Sequence, residues 1–452
     1  MTEFEAGKKL ILTIERLGCT AYLVGGCVRD ILLGLVPHDI DLVTSCSMDE
    51  LEEYFTCHDI GQSKSFGIVC VEFEGFTFEV AQMRVDGESS DSRHPDEVMF
   101  TDDIELDLSR RDFTINAMAM EFDGTIIDPF GGQQDLLDGV VRCVGDPVDR
   151  FQEDTLRMIR AVRFASRFNF ILERSTFAAI RSLSRTIDKV SPERIKGELF
   201  KMASGSGNQF AESIKLLDRC KLLEFILPEV KALQNVQEEP RFHPEAYMFG
   251  DGTPFDHTME AIKRNVHTDP MINVAVLLHD LGKSVTHELD KGRYDEYRHR
   301  FHGHGHAGVR LVNQVADRLK FSNDERDAFV FTAQHHMDLL HTSKMRKSKA
   351  SVLANHELFR LLTEVMYCDD SCRGDLFDSN EFFSKIEEIV KVGRDYNKVC
   401  KNKQLLDGKV VMELTGLPQG KELGQLMKDV TEKFLDGDDF VCIKKLILDS
   451  VK

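Results

Sequence analysis

The 452-residue chain contains no tryptophan, so any stacking on a base has to come from Phe, Tyr, His or Arg. It has no apolar run long enough to cross a bilayer and no N-terminal signal pattern, so we expect a cytoplasmic protein without a membrane partner. Its eleven cysteines are odd in number and include no Cys-x-x-Cys pair. That argues for reduced thiols rather than a disulfide scaffold or a zinc ribbon. Cys368 and Cys372, the closest pair, are expected to be buried structural thiols. Internal repeats and low-complexity tracts are also missing, which excludes solenoids. No feature demands a stable protein partner. The net charge of -20 excludes a general nucleic-acid coat protein.

What is present is locally uneven. Thr155–Lys201 holds eleven Arg/Lys against four Asp/Glu, a +7 segment inside an acidic chain. Charge asymmetry of this kind signals a partner, although an isolated stretch would be a solvated helical face. The length suggests two to four domains. Residues 1–20 read as a helix. Strands are expected at Ala21–Val24, Ile40–Val43, Gly67–Phe73, Phe76–Val85 and Thr125–Ile127, with a polar loop at Gly87–Glu97. The pattern turns helical from Gln152 to about Val236. Residues 237–256, with three prolines and several glycines, suit a linker. A second helical block, 257–380, carries most histidines, and a helical tail with a break at Thr415–Gly420 follows. The expected fold class is multi-domain α+β: an α/β head with a small sheet (1–150), a helical neck (151–236), a histidine-rich domain (237–380) and a tail (381–452).

Three motifs carry chemistry in the first half. Tyr22-Leu-Val-Gly-Gly-Cys-Val-Arg-Asp30, then His38-Asp-Ile-Asp41, reads as strand, glycine turn, helix start and second strand. Residues two apart on a strand share a face, so Asp39 and Asp41 would aim at one spot. Gly25 and Gly26 let backbone N–H groups approach phosphate oxygens, and Arg29 adds a planar donor fork. Each half alone is commonly just a turn; together they suit a magnesium-bound triphosphate. Arg110-Arg-Asp-Phe-Thr-Ile-Asn-Ala117 would put Arg110, Arg111, Asp112 and Asn116 within two helical turns, with a surface ion-pair cluster the equal alternative. Asp128-Pro-Phe-Gly-Gly132 reads as a structural turn. In Gln152-Glu-Asp-Thr-Leu-Arg157, Asp154 stands one turn before Arg157, and Arg160 and Arg163 continue that face. A carboxylate beside a guanidinium offers acceptors and donors to the edge of a base; the competing reading is a surface salt bridge.

These motifs, with Ser191-Pro-Glu-Arg-Ile-Lys-Gly-Glu198, resemble the bacterial class II tRNA nucleotidyltransferase (CCA-adding) and poly(A) polymerase family. The resemblance covers roughly residues 20–230 and continues more weakly through Leu414–Lys421. It implies that Asp39 and Asp41 are catalytic and hold Mg2+ for a two-metal displacement. Gly26, Arg29 and Arg111 would bind triphosphate or ribose. Asp154 and Arg157 would select CTP and then ATP, with Arg160 and Arg163 nearby. The loop Gly87–Glu97 corresponds to the family's flexible loop for switching to ATP. Glu79 is placed on a neighbouring strand, as a helper of the metal site or as a structural carboxylate. The partner would be a tRNA acceptor arm held by the basic face Arg160–Lys201. The cluster Lys344, Arg346, Lys347 and Lys349 reads better as a solvated loop. The same motifs fit an A-adding enzyme or a poly(A) polymerase.

The second half has its own constellation. Leu277-Leu-His-Asp-Leu-Gly-Lys283 presents His279 and Asp280 side by side, with His257, His304, His335-His336 and Asp369 elsewhere in the block. Imidazoles with carboxylates suit Mn, Ni, Co, Fe or Zn, and sequence does not choose among these divalent metals. The block resembles an HD phosphohydrolase domain, in which a metal site acts on a phosphoester. The expected shell is His257, His279, Asp280, His304, Asp369 and one of the adjacent pair, taken as His336 although spacing does not separate it from His335. Of the His302-Gly-His304-Gly-His306 run, only His304 aligns. A rival reading is a phosphohydrolase whose head merely binds nucleotide; a purely RNA-binding module leaves two metal constellations unexplained.

Overall fold

The computed structural model describes residues 1–58, 67–86, 98–291, 297–339, 345–401 and 408–435. The expected loop Gly87–Glu97 and Lys344 lie outside them. The chain divides into two compact units, one of residues 1–202 and 212–228, the other of residues 203–211 and 229–452.

The first unit opens with a helix, Glu3–Glu15, started by a capping box in which Thr2 and Glu5 exchange hydrogen bonds. Strands β1 (Ala21–Val24), β2 (Asp41–Thr44), β3 (Thr56–His58), β4 (Ile68–Phe73) and β5 (Phe76–Gln82) follow. β6 (Arg84–Asp86) and β7 (Val98–Phe100) form a separate ribbon. β8 (Ala119–Met120) and β9 (Ile126–Ile127) complete a seven-stranded sheet ordered β3-β4-β5-β2-β1-β8-β9. Glu74 and Gly75 both take positive φ between β4 and β5, as a two-residue hairpin turn requires. Alternation buries Val69 and Val71 of β4 with Phe78 and Val80 of β5 on one face. Val24, Val43, Met83, Leu108, Ala117, Ala119 and Val144 form a core beneath the glycine turn.

Within residues 21–128 the expected strands are found to within a few residues, with Phe76–Val85 split between β5 and β6, and three short ones, β3, β7 and β8, come in addition. The expectation of reduced thiols is corrected at one pair: Cys19 and Cys46 form a disulfide. Their 27-residue separation gives no hint of it. The cause is the β1–β2 register, which pairs Ala21 with Thr44 and so sets residues 19 and 46 opposite each other. Cys368 and Cys372 are free and buried, as expected. After β10 (Val140–Val141), helices Pro147–Glu153 and Arg157–Phe168 lead to β11 (Ile171–Leu172), which pairs with β10 in parallel.

In the second unit, helix Pro254–Lys263 packs on Pro270–Leu278 and on Phe359–Ser371. Asn323–His335 packs on Pro270–Leu278 and on His304–Leu319. Two expectations are corrected here. The block 257–380 is not wholly helical: β12 (Glu288–Lys291) and β13 (Tyr297–Arg300) make an antiparallel hairpin. Nor is 237–256 a linker. It contains helix Pro244–Phe249, with Glu238 and Glu245 almost fully buried. Its prolines and glycines serve tight turns: Gly252 has a positive φ, and a side chain there would strike the Tyr247 ring.

Candidate functional sites

The head site gathers around the glycine turn. Gly25 leaves β1 with φ +72, and a Cβ at that position would lie 2.9 Å from Arg111 Nη1. Asp41 opens β2 in register with Glu79 of β5. Asp39 stands two residues before β2 rather than on it. Its side chain is 77% exposed and meets His38 Nδ1 at 2.9 Å. Burial, then Glu79 and Asp39, push the Asp41 carboxyl up to about 6, against the pull of Arg111. Such crowding of carboxylates is relieved by a cation. Asp39, Asp41 and Glu79 nevertheless do not draw all their oxygens within 4.8 Å of one another.

Arg29 is buried, with its Nη2 3.5 Å from where a Cβ on Gly26 would stand. Its guanidinium binds Asp30 Oδ1 at 2.6–2.8 Å and Asn116 Oδ1 at 2.7 Å, and packs over the rings of Phe164 and Phe168. Arg110–Ala117 is not two turns of helix. The helix Ile104–Ser109 ends at Arg110, and only Thr114–Asn116 form a short 3-10 turn. Buried Asp107, which the sequence did not single out, binds Arg110 at 2.7 Å and Arg111 at 3.2 Å. The turn at Asp128–Gly132 closes on Thr114 as expected, with Gly132 N donating to Asp128 Oδ1 at 2.7 Å.

A polar chain ties these segments together. Arg29 donates to Asn116, Asn116 Nδ2 donates to Asp112 Oδ1 at 3.1 Å, and Arg160 donates twice to Asp112 Oδ2 at 2.7 and 2.8 Å. Burial would raise the Asp112 carboxyl, but Arg160 and Asn116 outweigh it and hold it at about 2. On the same helix Arg163 is buried against Glu198 Oε2 at 2.6 Å. Asp154 does not pair with Arg157. Its Oδ1 caps Leu156 N at 3.1 Å, and its Oδ2 accepts from Arg194 at 2.8 Å. Arg157 binds Glu153 at 2.7 Å and the Arg110 carbonyl at 3.0 Å. Within the basic segment Arg174, Arg181, Arg185 and Lys189 are exposed. In the 344–349 cluster, Arg346 and Lys347 are exposed and Lys349 binds Asp338 at 2.7 Å.

The histidine site is assembled more tightly. His257, His279, Asp280, His304, His336 and Asp369 all come together and are all buried. His257 Nε2 lies 2.9 Å from Asp369 Oδ1, and His279 Nε2 lies 3.2 Å from Asp280 Oδ2. His304 Nε2 and His336 Nε2 each lie 3.3 Å from Asp280 Oδ1 and 2.9 Å from each other. The Nδ1 atoms of His279, His304 and His336 face the carbonyls of Val276, Phe301 and Ala333 at 2.6–2.8 Å. A carbonyl only accepts, so Nδ1 carries the proton and Nε2 keeps its lone pair. Lone pairs thus point at one another at 2.9 Å, while His257 Nε2, His279 Nε2 and Asp280 Oδ1 have no hydrogen-bond partner. Orphaned donors of that kind fit a bound cation. Burial opposes ionisation of Asp280 and Asp369, yet the imidazoles and, at Asp280, Lys283 hold both well below the usual carboxylate range.

His336, not His335, enters this cluster. His335 turns to Asp338 Oδ2 at 2.8 Å and to the Phe331 ring. His302 is exposed but lines the adjoining cavity, and His306 is exposed outside it. That cavity, about 570 Å³, has Asp280, His304, His336 and Asp369 on its wall together with Lys283, Arg298, Arg300 and Arg373. The sequence missed Glu238, which binds Lys283 at 2.6 Å, and Glu245, which binds His257 at 2.7 Å. The only signal was the His-x-Glu spacing at 243–245, masked by its prolines.

Comparison with known proteins gives three consecutive matches: a poly A polymerase head domain at residues 21–142, a probable RNA- and SrmB-binding site of polymerase A at 169–234, and an HD domain at 261–370. The CCA-adding enzyme of Levilactobacillus brevis is 44% identical over 207 residues, 46% of this chain and 52% of that protein. That of Ligilactobacillus salivarius is 40% identical over 235 residues, 51% and 58% of the two chains. The chain thus spans about half the length of the curated relatives it matches. Among solved structures, the Bacillus stearothermophilus CCA-adding enzyme in complex with CTP superposes with a TM-score of 0.70, over 100% of this chain and 98% of that one, at 24% identity. The Thermotoga maritima CCA-adding enzyme complexed with tRNA gives 0.56 at 21% identity, over 99% and 95%. These likenesses show the fold. No helix among the described residues is long and apolar enough to cross a membrane. Residues 21–142 are thus similar to the poly A polymerase head domain, and residues 261–370 to the HD domain.

Proposed function

We propose that the head adds C, C and A to tRNA 3′ ends from CTP and ATP without a nucleic-acid template, in the cytoplasm. The observation that carries this is Arg111, which reaches the Gly25 turn with one nitrogen and acts on the charge of Asp41, so that three motifs meet at one point. Mg2+ held by Asp39 and Asp41 would neutralise the triphosphate and favour attack by the RNA 3′-hydroxyl. Arg111 and the backbone N–H groups after Gly25 bind phosphate oxygens. Arg29, Asn116, Asp112 and Arg160 act from below, as a buried brace under that surface. Asp154 and Arg157 select the base; Arg194 and Glu153 hold them in the meantime. Arg174, Arg181, Arg185 and Lys189 meet the acceptor-arm phosphates. We assign residues 1–150 to the head, 151–236 to the base- and RNA-binding neck, 237–380 to the HD domain and 381–452 to the tail.

A second activity, phosphoester hydrolysis, is favoured by the orphaned nitrogens of the HD cluster. Its donors divide about Asp280. His279 lies at Oδ2, with His257 and Asp369 close by, and His304 and His336 lie at Oδ1. These residues would hold a divalent transition-metal ion, which when bound would polarise a phosphoryl oxygen. Lys283 and the arginines of the cavity bind the ester's anionic oxygens.

The test is incorporation of labelled CTP and ATP into tRNA lacking its CCA end, with the stopping point read on a gel. Three additions ending at A are expected. Addition of A only, to tRNA ending in C-C, would make it an A-adding enzyme, and a long A ladder a poly(A) polymerase. No incorporation into any primer would overturn the transferase reading and leave the phosphohydrolase.

A further inference from the structure

We propose that Glu245 is the positioning residue of the HD metal centre: its charge sets the orientation and donor strength of His257, and His243 holds Glu245 in place. This rests on the metal reading of the cluster. The four imidazoles of the cluster are not equivalent. Three have Nδ1 against a backbone carbonyl, whereas His257 has Nδ1 2.7 Å from Glu245 Oε1. A carbonyl orients the ring. A carboxylate also passes negative charge through it and makes the opposite nitrogen a stronger donor.

The surroundings of Glu245 support a role beyond packing. His243 Nδ1 lies 3.1 Å from the same Oε1, and its ring stands edge-on to His257 at 4.4 Å. The second oxygen, Oε2, is buried without a partner. A glutamine or an apolar residue would avoid burying that charge, so the carboxylate's presence calls for a reason. The other group near His257 Nδ1 is Cys372 Sγ at 3.6 Å, so Glu245 at 2.7 Å is the closer partner of that nitrogen. Its helix, Pro244–Phe249, is fixed against helix Pro254–Lys263 by a turn in which Asp256 Oδ2 accepts from Asp251 N at 2.9 Å and from Thr253 N at 3.1 Å. Tyr247 Oη donates to the Glu238 carbonyl at 2.8 Å and anchors the same helix.

Glu245→Gln separates charge from shape, because the amide oxygen still accepts from both rings. The full chain is stripped with chelator and titrated with Mn2+ and Co2+, with bound metal counted, the Co2+ absorption spectrum recorded and the melting point of the stripped protein measured. The expected result is a metal affinity about ten- to a hundred-fold lower, an altered Co2+ spectrum and a melting point close to wild type. His243→Asn should shift affinity the same way by a smaller factor, and it decides the matter if Glu245→Gln does not fold. Wild-type affinity and spectrum in the variant that folds would overturn the proposal. A wild-type chain that takes up neither ion would instead overturn the metal reading itself.

Discussion

The two sites of this chain use similar residues in opposite ways. In the histidine cluster the six candidate ligands are buried, the Nδ1 atoms of its four imidazoles are engaged, and their Nε2 atoms already converge. In the head the expected ligands are spread: Asp39 is largely exposed, Asp41 begins a strand, and no close group forms. Instead, the head's ordered polar atoms lie one layer down, in the chain from Arg29 through Asn116 and Asp112 to Arg160. On the proposed reading, a rigid brace beneath a shallow surface suits a site that releases a product, and rigid ligands suit a site that retains an ion. The first is expected to be completed by nucleotide and magnesium together, the second to hold its metal without substrate.

The largest expected effect would break this comparison if it failed. Asp41→Ala should lower CTP and ATP incorporation by more than about a hundred-fold, while leaving metal uptake by the HD site unchanged. A parallel loss of both in a metal-counting assay would mean that the sites are not independent. After chelation, Mg2+ alone should restore incorporation, whereas HD hydrolysis of a test phosphoester should need Mn2+, Co2+ or another transition metal. Next in size, His336→Gln should weaken HD metal binding by about a hundred-fold, and His335→Gln should leave it within a few-fold. Equal losses would contradict the placement of His335 against Asp338.

The smallest effect concerns stability. Asp112→Asn should destabilise the head by about 2 kcal/mol in a denaturant titration at neutral pH, through the lost charge-assisted bonds to Arg160. Because the folded-state pKa, about 2, lies below the ordinary value of 3.8, this stabilisation is present above about pH 4. It is lost as pH falls toward 2, so the wild type and the variant should converge in acid. A constant gap between pH 7 and pH 3 would show that Asp112 contributes by shape and not by charge.

Much of this was legible in the sequence because it is local. β1 and β2 were found from alternation, and the glycine turn from Gly25-Gly26. The histidine cluster was legible because His-Asp beside Gly-Lys is a dense signal. What sequence could not show is pairing across long separations. Arg29 looked like a phosphate donor because it follows a glycine turn; only the fold brings Asn116, Phe164 and Phe168 around it. Asp154 and Arg157 looked like a pair by spacing, but Arg194 and Glu153 compete for them more closely. The Cys19–Cys46 bond follows from strand register, and register is set by the whole sheet. His335 and His336 differ in rotation about one helix end, a distinction no spacing rule carries.

The turn-rich segment before the HD match has a practical consequence for dissecting the chain. The match begins at residue 261, yet His257, Glu245 and Glu238 all precede it and all reach the metal cluster or its lysine. A fragment started at the match boundary would keep His279, Asp280, His304, His336 and Asp369 but lose His257, one of the six proposed ligands, and the acids that bind it and Lys283. Its failure to hold metal would say nothing about the intact protein. A limited digest that cuts cleanly ahead of Glu238 would give the smallest piece still able to report on the centre.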